Sequence, residues 1–157
     1  MNLTIDVQVA SDGDDNPDPD SIRYWLQSAL DGLIKKEGHA VEVCVRIVDE
    51  AESQALNWQY RGKNKSTNVL SFPSQLPDDF PERHLGDIVV CRPVVEREAQ
   101  EQGKELRAHW AHMIIHGALH LLGYDHVEDD DAVIMENLET RILTNLLFPP
   151  PYQPQTQ

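Results

Sequence analysis

Three histidines stand at His116, His120 and His126 in the segment HGALHLLGYDH, with Gly123 between the second and the third. Residues four apart on an α-helix lie one turn up and about 40° round from each other, roughly 6 Å along the axis, so the imidazoles of His116 and His120 can reach one ion. Gly123 suits the left-handed turn that ends a helix, and such a turn can swing His126 back toward the other two. Three neutral imidazoles leave a dication uncompensated and a fourth position for water, the donor set of a catalytic rather than a structural site. One zinc ion per chain is expected; imidazole ligands also suit nickel or manganese.

The spacing coincides with the long zinc-protease motif H-E-x-x-H-x-x-G-x-x-H except at one position. The protease has its general base there, a glutamate, and this chain has Gly117. A glycine takes no proton, so metal-assisted peptide hydrolysis is disfavoured. Phosphodiester cleavage depends on positioning and charge neutralisation, which fits phosphate esters better. A glycine beside the ion is also expected to leave the approach open to a polymer.

The same helix carries His109 and His112, and at 100° per residue positions 109, 112, 116 and 120 share an arc of about 80°. Spacing alone can pair His112 with His116. Gly123 favours His116 and His120, and a packed role is expected for His109 and His112. Arg61 is the next candidate, because a guanidinium offers a planar fork of donors for two phosphate oxygens. A salt bridge closing the preceding helix is an equal reading from the residues alone. Asp125 can orient a ligand imidazole or simply form a turn. Asp87 interrupts the apolar run LGDIVV, which implies either a bond to a metal histidine or an arginine, or a surface-facing strand position.

A chain of 157 residues with 40% hydrophobic and 25% charged residues suits one domain with a real core. A domain over 1–148 and a disordered tail over 149–157 are expected. No apolar stretch approaches the roughly 20 residues that span a bilayer, and MNLTIDVQVA lacks a basic-then-apolar leader, so the expected location is the cytoplasm. Cys44 and Cys91 lack C-x-x-C spacing and are expected as free thiols. The net charge of -14 argues against a nonspecific nucleic-acid binder. An RNA substrate then requires a locally positive cleft, for which the ion, Arg61, Lys63 and Lys65 are available. Much of the acid clusters in DGDDNPDPD and in EDDD at 128–131, the latter read as the first turn of a helix.

Alternating apolar residues predict strands at Leu3–Val9 and Val41–Ile47, with further strands over 67–72 and 85–91. Helical periodicity runs from about Asp20 through Leu33 and Ile34 and closes at Gly38. A short helix to about Tyr60 is expected after Asp49, with Glu52 in capping-box position. Pro93 opens a helix to Gln102, the histidine helix spans Glu105–Leu122, and a last helix runs over 129–147. Four strands with about five helices give a single α+β domain with a mixed sheet.

The segment HGALHLLGYDH resembles the signature of the YbeY endoribonuclease family. Asn57, Arg61, STNVLSFP over 66–73 and LGDIVV over 85–90 resemble further elements of that family, and the likeness covers all but about the first twenty and last ten residues. Asn68 departs from it, standing where the family pattern usually has Asp. The resemblance implies a small α+β sandwich, ligation by His116, His120 and His126, a functional arginine at Arg61, and hydrogen-bonding positions at Asn57 and Ser71. It further implies single-stranded RNA as substrate, maturation of the small-subunit ribosomal RNA 3′ end and ribosome quality control. The partners implied are a small-subunit ribosomal protein and a ribosome-assembly GTPase. Two other readings stay open: a hydrolase of peptides or small esters, and a non-catalytic ribosome-binding factor with structural zinc.

Overall fold

The computed structural model describes residues 2–13, 15–31, 33–34, 40–74, 82–124 and 128–152. The alternation at the N-terminus produces β1 (Asn2–Val9), which lies parallel to β2 (Ala40–Val48) with Leu3 opposite Val41, Ile5 opposite Val43 and Val7 opposite Val45. Parallel strands need a crossover, and α1 (Pro19–Leu30) supplies it. Asp18 caps α1 by accepting the Ser21 backbone N–H at 2.6 Å, and Pro19 occupies the first turn, where its missing N–H is harmless. The helix ends at Leu30, earlier than its periodicity implies, because Asp31 turns to extended backbone in the Asp-Gly pair; Leu33 and Ile34 still pack against the core. The expected closure at Gly38 lies outside the described residues.

After β2 come α2 (Glu50–Arg61), β3 (Val69–Pro73), β4 (Glu82–Cys91), α3 (Arg92–Gln102), α4 (Leu106–Leu121) and α5 (Asp129–Asn145). The sheet order is β1-β2-β4-β3, with β4 parallel to β2 and antiparallel to β3. This is the mixed four-stranded α+β arrangement with five helices that the sequence implies. The capping box at α2 does not form. Asp49 instead accepts Ser11 Oγ at 2.6 Å and the Asp12 N–H at 3.0 Å, and Glu52 pairs with Arg46 at 2.5 Å across to β2.

Two cores flank the sheet. The larger joins Val41, Val43, Val45, Ile47, Ile88 and Val90 to α1, α4 and α5, while a smaller one gathers Val48, Leu70, Val89, Cys91 and Val94 on the other face. Helix α4 is apolar nearly all round and correspondingly buried through most of its length. Gly117 lets it approach the sheet closely: a Cβ there would sit 2.8 Å from Ile88 Cγ2 and 3.2 Å from Val69 Cγ2. Cys44 and Cys91 are free thiols, and EDDD enters the first turn of α5. No helix of the described residues is long and apolar enough to cross a membrane.

Candidate metal centre

The histidines of α4 form one file. Ring centroids are 6.1 Å apart from His109 to His112, 6.3 Å from His112 to His116 and 4.7 Å from His116 to His120. His116 and His120 turn their Nε2 atoms toward each other at 3.2 Å. Two nitrogens bound at about 2.0–2.1 Å to one tetrahedral ion would be about 3.3 Å apart. Gly123, at φ +98°, ends the helix as expected, with its N–H on His120 O and the Tyr124 N–H on Leu119 O. The expected third ligand, His126, and its neighbour Asp125 lie outside the described residues.

Behind the file stands a residue that the sequence reading missed. Glu139 of α5 is fully buried and accepts from three side chains: His116 Nδ1 at 2.5 Å, His112 Nε2 at 2.7 Å and the Tyr152 hydroxyl at 2.5 Å. Burial opposes its charge, but the bonds from His112 and His116 outweigh that penalty and hold the carboxyl at about 2. The sequence did carry a signal for it. Met135, Glu139, Ile142 and Leu143 make one buried stripe at i, i+4, i+7 and i+8, and a carboxylate on such a stripe needs partners. His112 is driven toward the neutral form by burial, partly offset by Glu139. As a donor through Nε2, it leaves a buried Nδ1 with no partner among the described residues.

Two donor sets can therefore hold an ion. His112, His116 and Glu139 offer atoms all within 4.8 Å of one another. In that set protons already bridge the carboxylate to both rings, and an ion would have to displace them. At the other edge of His116, Nε2 faces His120. With its Nδ1 on the Glu139 carboxylate, His116 has the arrangement that carboxylates commonly impose on metal-binding histidines, and its Nε2 is the edge turned toward His120. The donor chemistry thus fits a divalent ion at His116 and His120, with Glu139 and His112 behind.

Arg61, at the end of α2, lines the same cavity of about 310 Å³ as His116, His120, Asn68, Ser71 and Tyr152. None of the ion pairs among the described residues uses it, so the helix-closing salt bridge is not formed. Lys63 and Lys65 are exposed in the loop that follows. Gly117 does not open the approach to the ion, contrary to expectation; it faces the sheet, and Ser71 Oγ donates to its carbonyl at 2.9 Å. A Cβ at 117 would meet Ile88, Val69 and Ser71 of the sheet. Asp87 is a surface-facing strand residue whose partner is His84 at 3.4 Å, away from the histidine file. Asn57 is buried and donates to Lys65 O at 2.9 Å. Asn68 donates to both Glu98 oxygens at 3.2 Å, and Glu98 takes His109 Nε2 at 2.9 Å.

Fold and site together define a class: an α+β domain presenting a carboxylate-backed histidine cluster, able to hold a metal ion, in a cleft faced by an arginine. More narrowly, the chain belongs to the YbeY endoribonuclease family, whose model matches residues 8–147. It is also similar to the solution structure of TM1509 from Thermotoga maritima, at 29% identity and a TM-score of 0.60, over 89% of this chain and 88% of that one.

Proposed function

We propose that this protein is a metal-dependent endoribonuclease, specific for single strands, that acts in maturation of the small-subunit ribosomal RNA 3′ end and in ribosome quality control. The observation that carries the reading is the shared cavity: Arg61 from α2 lines it together with His116 and His120 from α4, whose Nε2 atoms are 3.2 Å apart. His116, His120 and His126 would hold one zinc ion. Bound there, the ion would supply Lewis acidity toward a phosphate oxygen and a water of lowered pKa.

The chain's own residues do the rest. Glu139 keeps the proton of His116 on Nδ1, so the ring meets the cleft with its lone pair. Arg61 is exposed, and its planar fork suits two nonbridging oxygens of a phosphodiester and the charge that grows on them. Position 117 contributes no base, in keeping with a reaction driven by positioning and charge neutralisation. The acidic surface, net -14, restricts RNA to this locally cationic opening. Family membership supports an RNA substrate; a ribosomal protein of the small subunit and a ribosome-assembly GTPase belong to the same proposal as partners, and the cytoplasm as its location.

The test is cleavage of end-labelled single-stranded RNA by metal-quantified protein, beside His116→Ala and Arg61→Ala. Arg61→Ala should lower the rate by about 100-fold or more, the scale of losing one charge-stabilising donor, with metal content unchanged. Equal cleavage by all three proteins would reject the reading in favour of a ribosome-binding factor.

A further inference from the structure

The segment following α5 returns to the metal centre. Phe148 sets its ring 6.3 Å from Trp25, Pro151 is buried, and Lys104 Nζ donates to Pro151 O at 2.8 Å. Three consecutive prolines, Pro149 to Pro151, fix φ along this stretch and limit the conformations it can lose on docking. At its end the Tyr152 hydroxyl donates to Glu139 Oε2, and the ring stands edge-on to His112 with centroids 5.3 Å apart. The same residue lines the cavity shared by Arg61, His116 and His120. The segment expected to belong to a disordered tail is thus docked as far as Tyr152; residues 153–157 lie outside the described ones.

We propose that Tyr152 is a positioning residue of the metal centre, and that Pro149–Tyr152 is the strap delivering it: its hydroxyl locks the Glu139 carboxylate, which in turn sets the ring of His116. The last torsion of a glutamate is broad and soft, so each donor on its oxygens narrows the rotation. Glu139 has Oε1 committed to His116 and Oε2 shared by His112 and Tyr152, so its plane is fixed from both ends. Without the phenol, Oε2 keeps one donor, His112, in place of two, so the end of the carboxylate away from His116 is held less firmly, and the His116 ring with it. Partners bonded directly to a ligand ring, as Glu139 is to His116, change metal affinity by about 10–100-fold when removed, and Tyr152, one bond further out, should act at the lower end of that range. The inference rests on the reading of His116 as a ligand.

The experiment is a titration of the full-length apo-protein with cobalt(II), read from its visible absorption, with thermal unfolding of each apo-protein alongside. The proteins are wild type, Tyr152→Phe and Lys104→Met. Tyr152→Phe keeps the ring against His112 and deletes only the hydroxyl; it should weaken cobalt(II) binding about 10-fold and alter the band shape. Lys104→Met releases the strap at Pro151 and removes a charge that acts on His112 and Glu139, and should change affinity in the same direction. A purely structural strap would lower the unfolding temperature while leaving affinity and spectrum at the wild-type values, and that result overturns the proposal. A wild-type chain that binds no cobalt(II) overturns the metal reading itself, and the strap's role with it.

Discussion

His116 and His120 present Nε2 atoms 3.2 Å apart on the cleft side of α4, and the far edge of His116 is occupied by Glu139. On the proposed assignment His116 and His120 are ligands and Glu139 and His112 support them. His116→Ala and His120→Ala should each weaken zinc binding by more than roughly 100-fold, beyond the range of outer partners, whereas His112→Ala should stay within about 10–100-fold. Competition with a chromophoric chelator measures all three. Full loss with His112→Ala and retention with His120→Ala would move the ion to the His112, His116 and Glu139 group.

Gly117 is a packing residue, and its absence of a side chain has a structural reason independent of chemistry. Gly117→Ala would press a methyl to 2.8 Å from Ile88 Cγ2 and 3.3 Å from Ser71 Oγ, with β3 and β4 behind them. Helix and sheet would have to separate slightly, so a destabilisation of about 1–3 kcal/mol is expected in urea unfolding. A neutral result would mean that the α4 interface yields more readily than its burial implies.

What was legible in the sequence was local. The i, i+4 relation of His116 and His120 depends only on helical pitch, and Gly123 ends the helix through its own backbone freedom. Strand alternation located β1 and β2, because one face of each is buried. Periodicity marks Glu139 only as a carboxylate on the buried stripe of α5; that it bonds His116, and that Tyr152 bonds it in turn, follows from the packing of α5 and the following strap on α4, at separations no periodicity encodes. The capping box at Asp49 failed for a similar reason. Both of its acidic side chains found partners outside the helix, Ser11 and Arg92 for Asp49 and Arg46 of the preceding strand for Glu52.

Asn68 is an amide because its neighbour is a carboxylate. Its Nδ2 donates to both oxygens of Glu98 while its Oδ1 accepts the Val69 N–H at 2.7 Å. Burial raises the Glu98 carboxyl, but the His109 and Asn68 bonds outweigh this and keep it below its ordinary value. Asn68→Asp would replace a donor with a second negative charge, and stability near neutral pH should fall by about 1–3 kcal/mol. Part of that loss should return on acidification, as the pair takes up a shared proton with its folded-state pKa raised above the unfolded one. Thermal unfolding of both proteins from pH 4 to 8 checks this; a gap constant across the range would rule out the charge repulsion.

Asp18 makes the acid limb of stability testable at one residue. The Ser21 backbone N–H, then the Ser21 hydroxyl, hold its carboxyl below the ordinary 3.8, with Arg107 adding to the effect. A carboxyl lowered in the folded state contributes stability that is complete above the unfolded value and is lost as pH falls through the folded one. The relevant window therefore lies below pH 4. Asp18→Asn keeps an acceptor for the Ser21 N–H but carries no titrating charge, so it preserves the cap while removing this share of the pH dependence. Acid unfolding followed by far-UV circular dichroism should be shallower for the variant below pH 4, with the two curves parallel above pH 5. Curves that stay parallel down to pH 2 would show that the acid sensitivity of the fold arises at other carboxylates, of which Glu52, lowered by Arg46, is the next to test.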